Sequence, residues 1–299
     1  MGYQLWTSPV TGYRRIGTRV DEIRALFEKN ITVRSICEPL KACFAHANAN
    51  EMARLLHARG FDVAGVKEND TEAIKRFVRA SALKKGGTVS DHAEDIRLEQ
   101  LISEATPLAQ IFSVLAARAY SFVLAGGTVS GIVTRADLNK PPARIYLFAL
   151  ISLLEMHLVF WIRQEFGDTW LEHLKQNRID DAKKLFEQRR QKGHELDLCE
   201  CLQICDKAAL VMSHDRLREL FSIESKNAGA KIFRRVQNLR DLLAHGQTNL
   251  VQGSSWEELS VIIRWIERVL ERSDAEIEKI ALTSGADYVE RFWSAVAKS

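Results

Sequence analysis

The sequence predicts an α+β protein, with an α/β part over residues 1–140 and an all-α helical bundle over 141–299. Three observations lead there. A helix–strand–turn–strand pattern occurs clearly once before residue 140, preceded by a weaker copy. Pro141-Pro142 then interrupts the chain, and beyond it apolar residues follow helical spacing without convincing strand alternation. A length of 299 residues is sufficient for two domains.

The elements follow in order. Residues 30–33 (NITV) lead into Ile36-Cys37. Residues 49–60 (ANEMARLLHARG) read as an amphipathic helix, with Met52, Leu55 and Leu56 on one side and Gly60 as the stop. Residues 61–66 alternate as a strand. The connecting stretch 71–88 is expected to hold a helix and to break at Gly86-Gly87. The pattern returns at Thr106-Pro107, with Thr as N-cap, Pro at the first helical position, and Leu108, Ile111, Phe112 and Leu115 as the apolar face. Residues 120–124 and 129–133 are the strands of a hairpin, joined by the turn 125–128. Beyond the prolines, helices are expected over 145–165, 179–192, 196–212, 231–245, 256–270 and near 287–296.

A net charge of +3 is too small for a global field to steer nucleic acid, so RNA contact requires a local patch. Lys183, Lys184, Arg189 and Arg190 form one such cluster in a helix of mixed charge that otherwise reads as a solvated face. Residues 1–6 show no basic stretch followed by an apolar one, and five cysteines are an odd number, so a reduced, cytoplasmic protein is expected. Residues 145–162 are nearly long enough to span a bilayer, but Glu155 and His157 within them are costly in lipid, so a buried bundle helix is expected and no membrane partner. Cys199, Cys201 and Cys205 lack the usual zinc spacings. Cys205 also falls in the apolar series Leu198, Leu202, Cys205, Ala209, Met212, which predicts a core cysteine and no metal.

Residues 131–138 (GIVTRADL) close the second copy with Gly-x-x-Thr-x-x-Asp at a strand-to-helix turn. This resembles the end of a CBS domain, and residues ~30–140 with their two copies resemble a tandem CBS pair. The resemblance implies a cleft between the copies that takes an adenine nucleotide or related signalling molecule as a regulatory ligand. Gly131, Thr134, Arg135 and Asp137 would be its binding residues, Asp137 on the ribose hydroxyls and Thr134 on phosphate. The chemistry agrees: a carboxylate accepts from a vicinal diol. A hydroxyl with free backbone donors at a helix start suits an anion, and Arg135 and Lys140 would add charge. The same Thr and Asp also suit an ordinary helix cap. In the first copy, counted from Gly65, the motif positions hold Glu68 and Thr71. A glutamate there repels phosphate, so at most one good site per pair is expected.

Residues 236–246 (VQNLRDLLAHG) carry a second pattern, Arg240-Asp241 followed by His245, on a helix whose apolar positions are Ile232, Val236, Leu239 and Leu243. It resembles the signature of HEPN domains, helical bundles that are often metal-independent ribonucleases and otherwise only bind. Arg189 and His194 share the spacing but lie in a polar segment. Asp241 and His245 are four apart and can pair, with Gly246 as C-cap; both the helix end and the carboxylate would favour protonated His. Arg240 and His245 point apart on one helix, so two helices meeting across a two-fold axis would converge them, and the resemblance likewise implies a site built by a homodimer. Glu155 is a candidate partner for Arg240 in that cleft. His would move the proton in 2′-OH attack on phosphorus and Arg would stabilise the charge that develops, sparing DNA.

The two resemblances together imply a nucleotide-regulated endoribonuclease that needs no catalytic cofactor. By layout it is similar to CRISPR-associated effectors, which suggests antiviral defence. The alternatives are a non-catalytic sensor or scaffold, and a toxin held by an antitoxin.

Overall fold

A computed structural model describes Trp6–Thr7, Arg14–Arg15 and residues 20–284 apart from 195 and 246–248. The expected helix near 287–296 and the expected C-cap Gly246 lie outside the described residues. The structure is mixed α and β, with one two-stranded and two four-stranded sheets among the described residues. The chain divides into an α/β unit, Phe27–Arg144, and a helical unit that begins again at Ile145. Residues 20–26 group with the helical unit, not with the α/β part in which the sequence placed them. The cause lies in helix α1 (Val20–Asn30), where the Val20 amide donates to Asp274 Oδ2 at 3.0 Å and Arg24 pairs with Glu271 at 2.7 Å.

Near the start, β1 (Trp6–Thr7) pairs antiparallel with β2 (Arg14–Arg15). In the α/β unit the order is β3 (Glu38–Pro39), β4 (Ala42–Phe44), α2 (Ala49–Ala58), β5 (Val63–Lys67) and β6 (Arg76–Arg79). Then come β7 (Glu94–Asp95), β8 (Leu101–Ser103), α3 (Leu108–Ala117), β9 (Tyr120–Ala125) and β10 (Thr128–Thr134). Each copy repeats one arrangement. A leading strand lies parallel to the strand after the helix, β4 with β5 and β8 with β9, and that strand turns back antiparallel into β6 or β10. The copies also exchange strands. β3 precedes the first copy but extends the second copy's sheet beside β10, and β7 precedes the second copy but extends the first copy's sheet beside β6.

Local sequence accounts for the helices. Asn48 caps α2 by accepting from the Glu51 amide at 3.1 Å, and Ala49, Ala53 and Leu56 face inward. On α3, Leu108, Ile111, Phe112 and Leu115 are buried, and Pro107 is the N-cap itself, one residue later than expected. The stretch 71–88 holds β6 and a short 3₁₀ turn, Ala82–Lys85, in place of the expected helix. Phe77 and Val78 are fully buried and β6 is flanked by β5 and β7, so sheet pairing overrides local propensity. Phe77 meets Phe122 of the other copy at 5.0 Å between ring centres, within a shared core that includes Leu40 and Ile74.

The helical unit comprises α4 (Pro141–Phe166, here from Ile145), α5 (Gln176–Gln191), α6 (Ile204–Ser213), α7 (Asp215–Leu220), α8 (Lys226–Ala244) and α9 (Trp256–Ser284). The helix expected over 196–212 is interrupted. A 3₁₀ turn covers Leu198–Cys201, and Gln203 and Asp206 form a capping box that starts α6 afresh. The restart shifts the helical register, so Cys205 is exposed and Cys199 and Cys201 are buried, contrary to the core position expected for Cys205. Burial pushes the Cys199 thiol up to about 12, which leaves it unreactive.

Close packing at Gly229 on α8 gives one expected result. A Cβ there would lie 2.8 Å from Ile223 Cγ2 and 3.1 Å from Met212 Sδ. Gly229→Ala is therefore expected to destabilise the protein by about 1–2 kcal/mol, overpacking outweighing the gain in helix propensity. A lowered urea midpoint checks this; a raised one contradicts it.

α4 belongs to a helical run, Pro141–His173, long and apolar enough to cross a membrane, and 61% of its most apolar window is buried within the folded chain. Its two polar interruptions have partners in the helical unit. His157 is fully buried, with Nδ1 2.6 Å from Ser273 Oγ on α9, and Trp161 donates to the same oxygen at 2.5 Å. His157 Nε2 stands 3.6 Å from Asp274, beyond hydrogen-bond reach, and burial pushes the imidazole down to about 3. The unfolded chain protonates this group near ~6.5, so as pH falls from there toward 3 the unfolded state takes up a proton that the folded state refuses. Stability is expected to fall by up to about 1.4 kcal/mol per pH unit through that window. Urea unfolding at pH 7 and pH 5 checks this: His157→Gln should lose less stability than the parent, and an equal loss contradicts it.

Candidate functional sites

The α/β unit contains a cleft of about 640 Å³, ordinary for a small-molecule site. Its lining includes apolar Pro39, Leu40, Phe61 and Ile132 and polar Asp137, Thr134, Tyr120 and Arg79. β3 and the residue after it, the residues leading into β5, the end of β6, the start of β9, and the end of β10 with the turn after it bring these residues together.

The sequence-predicted residues divide here. Thr134 and Asp137 line the cleft, bonded to each other: Asp137 Oδ2 accepts from the Thr134 amide at 2.7 Å and from its hydroxyl at 2.9 Å. They form the capping box of the 3₁₀ turn Arg135–Asn139, so the helix-cap role is realised. The other carboxylate oxygen pairs with Lys140 at 2.8 Å, and Lys140 also reaches Glu38 and the Ile36 carbonyl. Arg135 is drawn away from an anion role, because its Nε and Nη2 donate to the Leu115 and Ala116 carbonyls at 2.8 and 3.0 Å. Its backbone amide is taken by the Ala119 carbonyl, so the first two amides of this turn, those of Thr134 and Arg135, are already used. Gly131 is closely packed. It sits within β10, where a Cβ would lie 3.1 Å from the Glu38 carbonyl oxygen, and it is absent from the cleft lining.

The register corrects the first-copy motif. Val63 pairs with Arg79 as Tyr120 pairs with Thr134, so the position equivalent to Thr134 is Arg79 and that of Asp137 is Ala82. Glu68 and Thr71 lie in the loop after β5, where Glu68 pairs with Arg76 and Thr71 bonds Asn69. Gly65 lies on β5, the counterpart of β9, whereas Gly131 lies on β10, the counterpart of β6, so a motif counted from Gly65 falls in the loop.

The helical unit holds the second constellation. Phe233, Val236 and Leu239 bury one side of α8, leaving Arg240 exposed and Asp241 half-exposed near its C-terminus. Arg240 Nε lies 3.9 Å from Glu155 Oε1 on α4, so the structure brings together this predicted pair. Lys207 on α6, only 3% exposed, holds the other Glu155 oxygen at 3.3 Å. Asp241 accepts from Arg240 at 3.2 Å and from Gln237 at 3.0 Å. The result is a row of alternating charges, Lys207, Glu155, Arg240 and Asp241, running from the interior to the surface. His245 follows α8 as its exposed C-cap, its amide bonded to the Asp241 carbonyl. Among the described residues no bond joins its ring to Asp241, whose carboxylate accepts from Gln237 and Arg240. The decoy Arg189 and His194 are exposed at the end of α5.

Sequence reasoning missed Lys207 and Arg79. A lysine within the apolar run Ile204–Val211 was a usable signal for the first. For the second, only the sheet register supplied it.

Solved structures similar to this chain include CBS domains. One is the CBS domain of a bacterial CNNM/CorC family Mg²⁺ transporter in complex with ATP, at 18% identity and a TM-score of 0.32, covering 40% of this chain and 92% of that one. Another is a hemolysin-like protein containing a CBS domain from Oenococcus oeni, at 14% identity and 0.31, covering 40% and 96%. A protein from Methanocaldococcus jannaschii aligns at 12% identity and 0.34, covering 80% of this chain and 98% of its own. No family model and no curated protein matches the sequence.

Proposed function

We propose that the chain is a nucleotide-regulated, metal-independent endoribonuclease, with a CBS-type sensor in the α/β unit and a HEPN-type site in the helical unit. The observation that carries the sensor half is the pair of strand–helix–strand–strand copies that exchange leading strands around a cleft of about 640 Å³ lined by Thr134 and Asp137. An adenine ring suits the apolar lining residues Pro39, Leu40, Phe61 and Ile132. Asp137, released from its cap, accepts from the ribose hydroxyls.

The catalytic half rests on Arg240 and His245 at the solvent-facing end of α8, with a Glu155 oxygen 3.9 Å from the guanidinium. In this reading two copies pair so that Arg240 of one and His245 of the other face the same phosphodiester. The RNA 2′-oxygen attacks phosphorus as His245 moves its proton, the 5′-oxygen leaves protonated, and Arg240 stabilises the charge on the phosphoryl oxygens. The products are a 2′,3′-cyclic phosphate and a 5′-hydroxyl, and the setting is cytoplasmic defence. Purified protein incubated with labelled single-stranded RNA in EDTA tests this. Cyclic-phosphate ends support it, and intact RNA sinks the catalytic half.

One observation favours a second reading, a sensor or scaffold without catalysis. Arg240 already has two carboxylate neighbours, Glu155 and Asp241, which compete with a phosphate for it.

A further inference from the structure

We propose that Arg79 is the anion-reading residue of the α/β cleft, and that the cleft takes a nucleoside monophosphate in preference to the free nucleoside or the triphosphate. This rests on the reading of the cleft as a nucleotide site and goes beyond it in naming the phosphate contact and the ligand class.

Four observations converge. First, β6 ends with Arg79 where β10 ends with Thr134, and both side chains line the same cleft, so the pair of copies is asymmetric in charge at one matched position. Second, two other cations near the second-copy end are committed, which leaves Arg79 and Lys41 as the cations of the lining to be compared. Arg135 is bonded to the last carbonyls of α3, and Lys140 to Asp137, Glu38 and Ile36.

Third, Arg79 is held in an exchangeable way. Its Nη1 meets Glu94 at 2.8 Å, but the two side chains are 47% and 44% exposed, and ion pairs of that exposure contribute little. The guanidinium also lies 5.4 Å from the Phe77 ring centre and is hydrogen-bonded to Tyr120, another residue of the cleft lining; a guanidinium has five N–H donors, so these ties and Glu94 do not exhaust it. Fourth, the ionisable lining balances: Glu38, Asp62 and Asp137 against Lys41, Arg79 and Arg135. A lining without net positive charge suits one phosphate on Arg79 and gives no reward for a second or third.

The ligand then competes with Glu94 for the guanidinium. Glu94 is the first residue of the two-residue edge strand β7, paired to Phe77, so occupancy loosens one of the few ties on the strand that leads into the second copy.

Calorimetric titration of the full chain with adenosine, AMP and ATP tests this, using wild type, Arg79→Met and Glu94→Gln. In the wild type AMP is expected to bind about ten- to hundredfold tighter than adenosine, the range for hydrogen bonds to a charged group, with ATP no tighter than AMP. Arg79→Met should abolish that advantage, so that the variant binds AMP no tighter than it binds adenosine, and Glu94→Gln should increase it. Arg79→Lys should restore part of it, which separates loss of a charge from loss of packing. If Arg79→Met keeps the full AMP advantage, or wild type binds adenosine and AMP alike, the Arg79 assignment fails and the nucleotide reading survives. If ATP binds much tighter than AMP, the monophosphate preference fails. If wild type binds none of the three, the nucleotide reading fails and the assignment with it.

Discussion

His245→Ala is expected to lower RNA cleavage by about 10²–10⁴-fold, the usual range for removing a general acid or base. It should leave folding and self-association unchanged. The residue is exposed beyond the end of α8, and among the described residues no bond joins its ring to Asp241, so little of the fold rests on it. Arg240→Ala is expected to cost about 10²–10³-fold, as loss of a positioned donor does. It also leaves Glu155 with Lys207 alone. Cleavage rates in EDTA, with thermal melting and sedimentation as controls, check both. The two losses should not multiply in the double variant if the residues act in one step. Equal cleavage by wild type and both variants would place the activity elsewhere.

The second large effect is at the cleft. Asp137→Ala is expected to weaken adenine nucleotide binding about ten- to hundredfold, since a charged acceptor is removed from the ligand. It should also lower stability by about 1 kcal/mol, the usual cost of a lost cap, because Asp137 bonds the Thr134 amide and hydroxyl and pairs with Lys140. Asp137→Asn retains an oxygen able to cap and so separates the two effects: stability largely recovers while binding stays weak. Full nucleotide affinity in Asp137→Asn would contradict the ribose contact.

Much of the fold was legible in the sequence where elements are short and locally determined. The second copy reads directly, because Leu108, Ile111, Phe112 and Leu115 repeat at helical spacing and the Gly126-Gly127 turn fixes its hairpin. The first copy is harder. β6 is four residues long and defined by burial of Phe77 and Val78 between neighbouring strands, a tertiary fact with a weak local trace. Misplacing it displaced the motif count from Arg79 to Glu68. The break in the helix expected over 196–212 shows the converse, since apolar spacing ran unbroken through a point where Gln203 and Asp206 restart the backbone. At the candidate sites residue types were legible but partnerships were not. Arg135 and Lys140 looked like phosphate ligands by charge, and only the structure shows their donors committed to carbonyls and carboxylates. The Glu155–Arg240 pair was anticipated because a carboxylate inside an apolar helix needs a cation; Lys207 behind it was not.

The most direct measurement of the central claim is the rate of RNA cleavage in EDTA as AMP and ATP are titrated, run in parallel on wild type and Asp137→Ala. The account predicts cyclic-phosphate products, a rate that changes with nucleotide at the concentration where binding saturates, and a response shifted to higher concentration in Asp137→Ala. Cleavage indifferent to nucleotide in both proteins would contradict the coupling of the two units, and no cleavage at any nucleotide concentration would leave the chain a sensor without the enzyme.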